Sequence, residues 1–95
     1  MVSKMAKRIT DAEELKSGLL LQVFRPETKF QRVCLWEPSG MRFSWGEQIP
    51  HLSPIIFMET FCPDGSKIDC FKFFFDGKVY VDNLECVTTD YEIVE

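Results

Sequence analysis

The sequence runs to 95 residues, the length of a single domain with one modest core. Its 45% apolar and 27% charged residues are ordinary for a globular chain, and an aromatic content of 14%, nine of the 13 rings being Phe, excludes a disordered one. A net charge of −4 and an isoelectric point near 5.0 weigh against a nucleic-acid binder, and no apolar run approaches the length that crosses a bilayer.

Residues 1–9 read as a loose basic arm with no apolar stretch behind it, unlike a secretory signal, and cytoplasm (the cell's own or a host's) is the expected location. Residues 10–95 read as one β-rich domain. Thr10 followed by Glu13 has the form of a capping box, with Asp11 and Glu14 near the positive helix end and Gly18 as a stop, which predicts one short N-terminal helix. Residues 19–24 and 30–36 are β-rich runs separated by turns at Pro26 and Pro38. Residues 41–45 alternate, placing Met41, Phe43 and Trp45 on one face. Residues 46–54 read as the longest irregular stretch, with Pro50, Pro54 and His51.

Two more strands are expected at 55–61 and 67–75, joined by a turn at Pro63 and Gly65. Asp76 and Gly77 are a two-residue hairpin signal leading into 78–81. Residues 84–88 extend the strand pattern, and 91–94 add a short last strand. Strands recurring every 10–12 residues predict an antiparallel meander of about six strands. It would curl into a small β-barrel or sandwich of SH3-like or OB-like size, with sequence neighbours adjacent in space. In the fifth strand Phe71, Phe73 and Phe75 share a face and Phe74 lies opposite with Cys70. Phe74 therefore belongs either to a covered strand or to an apolar patch for a partner or a second copy.

Sites that do chemistry find little support. The four cysteines (Cys34, Cys62, Cys70, Cys86) are 28, 8 and 16 residues apart, without the two close pairs that bring four ligands onto zinc, so reduced thiols and no metal are expected. His51 is the one histidine, there is no Gly-x-Ser-x-Gly elbow, and no glycine loop cradles phosphate. Glu59 and Asp69 are placed to face each other across a hairpin, a pattern that belongs to a solvated outer face. No catalytic residue and no cofactor are assigned, and a non-enzymatic role is expected.

The charge is uneven. Residues 1–18 sum to +1 and residues 19–75 to zero, whereas residues 76–95 sum to −5, with Asp76, Asp82, Glu85, Asp90, Glu92 and Glu95 against Lys78. Of these, Asp82, Glu85, Asp90, Glu92 and Glu95 form a candidate acidic edge that steers onto a basic surface of another protein. The expected function is a protein-interaction domain that binds and modulates a partner, inhibition included. A viral or phage accessory protein acting on a host nucleic-acid enzyme fits that pattern. The other surface is aromatic, carried by Trp36, Arg42, Trp45 and His51. It suits a single-stranded nucleic-acid or small-ligand binder, with nucleic acid the weaker reading at this isoelectric point. Self-association is compatible with either, and a membrane role with neither.

Overall fold

The computed structural model describes residues 6–37, 40–41, 45–63, 65 and 67–94. It is a single curled antiparallel sheet, a half-barrel. In chain order its strands are β1 (Ala6–Arg8), β2 (Leu20–Val23), β3 (Phe30–Glu37), β4 (Gly40–Met41), β5 (Glu47–Pro50), β6 (Pro54–Phe61), β7 (Cys70–Phe75), β8 (Lys78–Asn83) and β9 (Tyr91–Val94). Eight run side by side as β1-β9-β2-β6-β7-β8-β3-β4, and β5 pairs with β3. The mainly β expectation holds, with more strands than six.

The meander expectation holds for β6-β7-β8 and for the β3-β4 pair. β2 lies between β6 and β9, and β3 lies beside β8. The chain therefore makes long returns where short turns were expected. β1 and β9 account for one of these. Ala6 pairs with Val94 and Arg8 with Glu92, so residues 6–8 of the expected arm form an edge strand, and Ile9 behind them is buried.

The N-terminal helix shrinks to one 3₁₀ turn, Ala12–Glu14, and the capping pair shifts by one residue. Asp11 caps Glu13 N–H at 2.9 Å, and Glu14 Oε2 accepts the backbone N–H groups of Thr10 and Asp11 at 2.9 and 3.1 Å. No residue of the turn is buried, so no apolar stripe exists to stabilise a longer helix. The α-helix is instead α1 (Val87–Asp90), preceded by a 3₁₀ turn at Leu84–Cys86, in a segment whose pattern reads as strand. Only Val87 of α1 is buried, so tertiary packing sets this single turn, not propensity.

Residues 46–54 are more regular than expected, because β5 pairs with β3 from Phe30↔Pro50 to Val33↔Glu47. β4 pairs with the end of the same strand, Trp36↔Met41. The register slips between the two, and Trp45 sits in the slip. Arg42, Phe43 and Ser44 lie outside the described residues.

The inner face of the curl holds the main core, including Leu21, Ile55, Phe57, Phe71, Phe73 and Tyr91. Rings meet in sequence across it: Phe57 stacks on Phe71 at 6.0 Å, and Tyr91 meets Phe71 edge-on at 5.3 Å. Each fully buried ring contributes roughly 2–3 kcal/mol of transfer free energy. On the opposite face Cys34, Cys70 and Val81 form a small second core under Trp36 and Phe61. No helix among the described residues is long and apolar enough to cross a membrane.

The β7-β8 hairpin matches its sequence signal. Asp76 and Gly77 both have positive φ, 49° and 79°, and Phe75 pairs with Lys78 across them, which is the two-residue turn that suits a twisted hairpin. Apart from Gly77 itself and its two chain neighbours, no atom lies within 4 Å of where a Gly77 side chain would begin. Gly77→Val therefore strains the backbone alone and should cost about 1–3 kcal/mol, read as a lower urea midpoint. An unchanged midpoint would contradict this turn geometry.

Candidate functional site

The proposed acidic edge is divided by the strand period. Tyr80 and Asp82 alternate inward on β8, so Asp82 is only 2% exposed and cannot present a docking charge. Its carboxylate is met from three directions. Tyr91 O–H donates to Oδ2 at 2.6 Å, the Gln31 side-chain amide donates to Oδ2 at 2.8 Å, and the Asn83 backbone N–H donates to Oδ1 at 2.7 Å. Burial pushes the Asp82 pKa up, while these donors pull it back. Burial beside Asp82 pushes the Tyr91 phenol well above its ordinary value.

Asp90 belongs to the same network. The Gln31 amide reaches it at 3.0 Å, and the Arg25 guanidinium pairs with it at 3.2 Å while also donating to the Gln31 side-chain oxygen. Of the other expected acids, Glu92 is half-buried and accepts from the Gln22 amide at 3.0 Å, Glu85 is exposed, and Glu95 lies outside the described residues. Asp82 and Asp90 thus come together, but inside the fold, and Glu85 and Glu92 do not join them. The signal for this network was present in the alternation of residues 78–83, which puts one carboxylate on an inward position.

β3 and β8 pair only at Cys34↔Val81 and Leu35↔Tyr80. Beyond that the strands part and leave an open cleft of about 350 Å³, lined by Arg25, Phe30, Gln31, Arg32, Asp82 and Trp45 among others. Trp45 is 37% exposed at this cleft. His51 is not there. Its Nδ1 accepts the Arg25 backbone N–H at 2.9 Å, and its ring lies 5.6 Å from Phe24, so it fastens the β5-β6 turn to the end of β2. Trp36 is half-buried on the outer face, with the Lys72 ammonium 3.9 Å from its ring centroid. The aromatic candidates therefore do not share one surface.

Among the described residues, His51 and Asp82 are engaged in structural hydrogen bonds, His51 with the backbone and Asp82 with donors at both oxygens. Glu59 faces Lys72, not Asp69, because β6 and β7 first pair at Phe61↔Cys70, which makes the connection between them longer than a three-residue hairpin loop. Burial drives the Cys34 thiol up to about 11 and the Cys86 thiol up to about 12, away from thiolate reactivity. Among the described residues no three His, Cys, Asp or Glu side chains converge in the manner of metal ligands.

The outer face offers a different candidate. Period-2 alternation turns Phe74 outward while Phe71 and Phe73 fill the core, and Phe74 is 42% exposed. Its ladder partners are Ile56 on β6, itself 41% exposed, and Val79 on β8. Leu20 on β2 pairs with Ile56. Continuing the Leu21↔Ile93 register by one residue sets Val94 beside Leu20, and Val94 pairs with Ala6 on β1. One in-register row of apolar side chains thus crosses six strands on the face opposite the main core.

Compared with known proteins, the chain matches no family model, no curated protein and no solved structure.

The buried network makes two linked predictions. Asp82→Ala leaves the Tyr91 hydroxyl and one N–H of the Gln31 amide, whose other contact is Asp90, without an acceptor and should cost about 2–4 kcal/mol, whereas Tyr91→Phe, which removes one donor, should cost about 1–2 kcal/mol. The folded-state pKa of Asp82 lies above the ordinary 3.8. The folded chain therefore holds that proton more tightly, and the Asp82 contribution to stability falls as pH rises from 3.8 through the raised value. Urea midpoints measured against pH should show this fall in the wild type and not in Asp82→Asn. Parallel curves for the two proteins would contradict the assignment.

Proposed function

We propose that the protein is a non-enzymatic interaction domain that binds and modulates a partner protein through the outer face of its sheet. The observation that carries this reading is the apolar row centred on Ile56 and Phe74, each more than 40% exposed at the middle of the sheet. Single exposed apolar residues are ordinary on a surface, but a contiguous in-register row is a docking feature. Aromatic and aliphatic anchors of this type supply most of the free energy of protein interfaces. The acidic residues that remain at the surface, Glu85 and the exposed Asp76, act at the rim, where charge tunes the rate of encounter.

The test is site-specific photo-crosslinking. A photoreactive phenylalanine analogue at Phe74 or Ile56 should capture protein, and the same group at the exposed Glu13 should not. Equal capture at all three positions, or none at Phe74 and Ile56, would reject the reading.

The cleft at Trp45 favours a second reading, a small-ligand site. A volume of about 350 Å³ lies within the range of ligand pockets. Arg32, which has no ion-pair partner among the described residues, and the Trp45 ring provide a charge and a stacking surface. Native mass spectrometry of the purified protein should then show a bound small molecule that Trp45→Ala and Arg32→Ala lose. An unliganded wild-type spectrum, unchanged on adding nucleotides, would favour the outer face alone.

A further inference from the structure

The apolar row has a symmetry of its own. Its two exposed large side chains are direct ladder partners on the central pair of strands, Ile56 on β6 and Phe74 on β7. The next outward pair on the same two strands is Glu59 and Lys72, joined by an ion pair at 3.1 Å. The bulge between Phe57 and Glu59 creates that pair, because without it Met58 would face Lys72. Lys72 is held upright by its contacts with the Trp36 and Phe61 rings at 3.9 and 4.9 Å. The Glu59 side chain is 58% exposed and keeps acceptor capacity free for a second donor.

We propose that the occupant of this face is a second copy of the same chain, docked about a two-fold axis that runs parallel to β6 and β7 and midway between them. This proposal rests on the outer-face reading above. A closed dimer needs a surface that complements itself. Rotation about this axis exchanges β6 for β7. It sets Ile56 of one copy on Phe74 of the other and Leu20 on Val79. The same rotation sets Glu59 of each copy on Lys72 of the other. Both the apolar pair and the charge pair are thus complementary to themselves, which an unrelated partner surface would not require. The four strands β2, β6, β7 and β8 at ~4.8 Å spacing make the contact about 19 Å wide, and three side-chain rows make it about 20 Å tall, so each copy buries roughly 400 Å². That is about half of what each side of a standard stable interface buries, so the dimer is a weak, exchanging one.

Analytical ultracentrifugation of the full chain tests this. The weight-average mass of the wild type should climb from the monomer toward twice that value between roughly 10 µM and 1 mM. Phe74→Gln and Ile56→Gln, at exposed positions that leave the core intact, should each weaken association about tenfold or more, with an unchanged circular dichroism spectrum. The charge pair gives a sharper readout. The Glu59→Lys protein carries two positive charges at the exchange point, and the Lys72→Glu protein carries two negative ones. Each should associate less than the wild type, and an equimolar mixture should recover heterodimer, because the two surfaces now complement each other.

A wild type that stays monomeric throughout this range overturns the proposal, as does a mixture that associates no better than its components. If the wild type is monomeric while crosslinking at Phe74 still captures a different protein, the outer-face reading survives and only the second copy is excluded. Failure of both removes the face altogether.

Discussion

A carboxylate can leave water only where donors replace the water it loses, and Asp82 is the point at which this fold must meet that condition. The donors come from far apart in the chain. Gln31 lies 51 residues earlier, on β3, and Tyr91 lies nine residues later, at the start of β9. Satisfying one side chain therefore ties β3, near one end of the sheet, to β9, near the other. Asp90 and Arg25 extend the same network to α1 and the β2-β3 turn, and the Phe24 backbone N–H adds a bond to the Asp90 carbonyl at 2.8 Å. At this end of the half-barrel, where β3 and β8 share only two ladder pairs, side-chain hydrogen bonds take over the role of the missing backbone ones.

The two faces of the sheet are specified by the same rule with opposite results. A strand alternates its side chains, so a chain rich in Phe and Ile must either cover both faces or leave one apolar. Here β7 does both. Cys70 goes under Trp36 and Phe61, and Phe74, four residues on along the same face, has no such cover. The difference lies in neighbouring strands, since the β3 end of the sheet supplies a large ring and the β2 end supplies only Leu20 and Val94. An interaction surface of this kind needs no motif. It arises from register, which explains how a chain without a catalytic signature can still carry a specific face.

The local signals around the β7-β8 hairpin were legible in the sequence and the order of strands was not. The Asp76-Gly77 turn, the strands that flank it and the alternation of Phe71, Phe73 and Phe74 follow from backbone geometry within a few residues, and the structure agrees with all of them. The order of strands does not follow from such signals, because β9 reaches β1 and β2 across nearly the whole chain. The N-terminal capping box was displaced by one residue because Asp11 and Thr10 are both competent caps, and the choice depends on where Ile9 is buried. Residues 84–88 carry strand-like composition but wind into a 3₁₀ turn and α1, since Cys86 and Val87 must turn the chain back toward Tyr91. Asp82 leaves the expected acidic edge because net charge per segment ignores the strand period that sends it inward. The place of Trp45 at the cleft depends on a register slip between β4 and β5 that composition does not announce.

The position of β2 between β6 and β9 bears on how the molecule is made. Leu21 pairs with Ile55, 34 residues downstream, and with Ile93, 72 residues downstream. Closing such loops costs entropy before any contact rewards it, so a topology of this kind folds on the slower side of small domains. The β6-β7-β8 meander needs only short loops and can assemble first. Among the described strands β9 is the last to be synthesised, so β2 emerges on the ribosome long before either of its partners is complete. During that interval the edge of β6 and the apolar side of β2 are both exposed, which makes the nascent chain most vulnerable to wrong strand pairing just before β9 arrives.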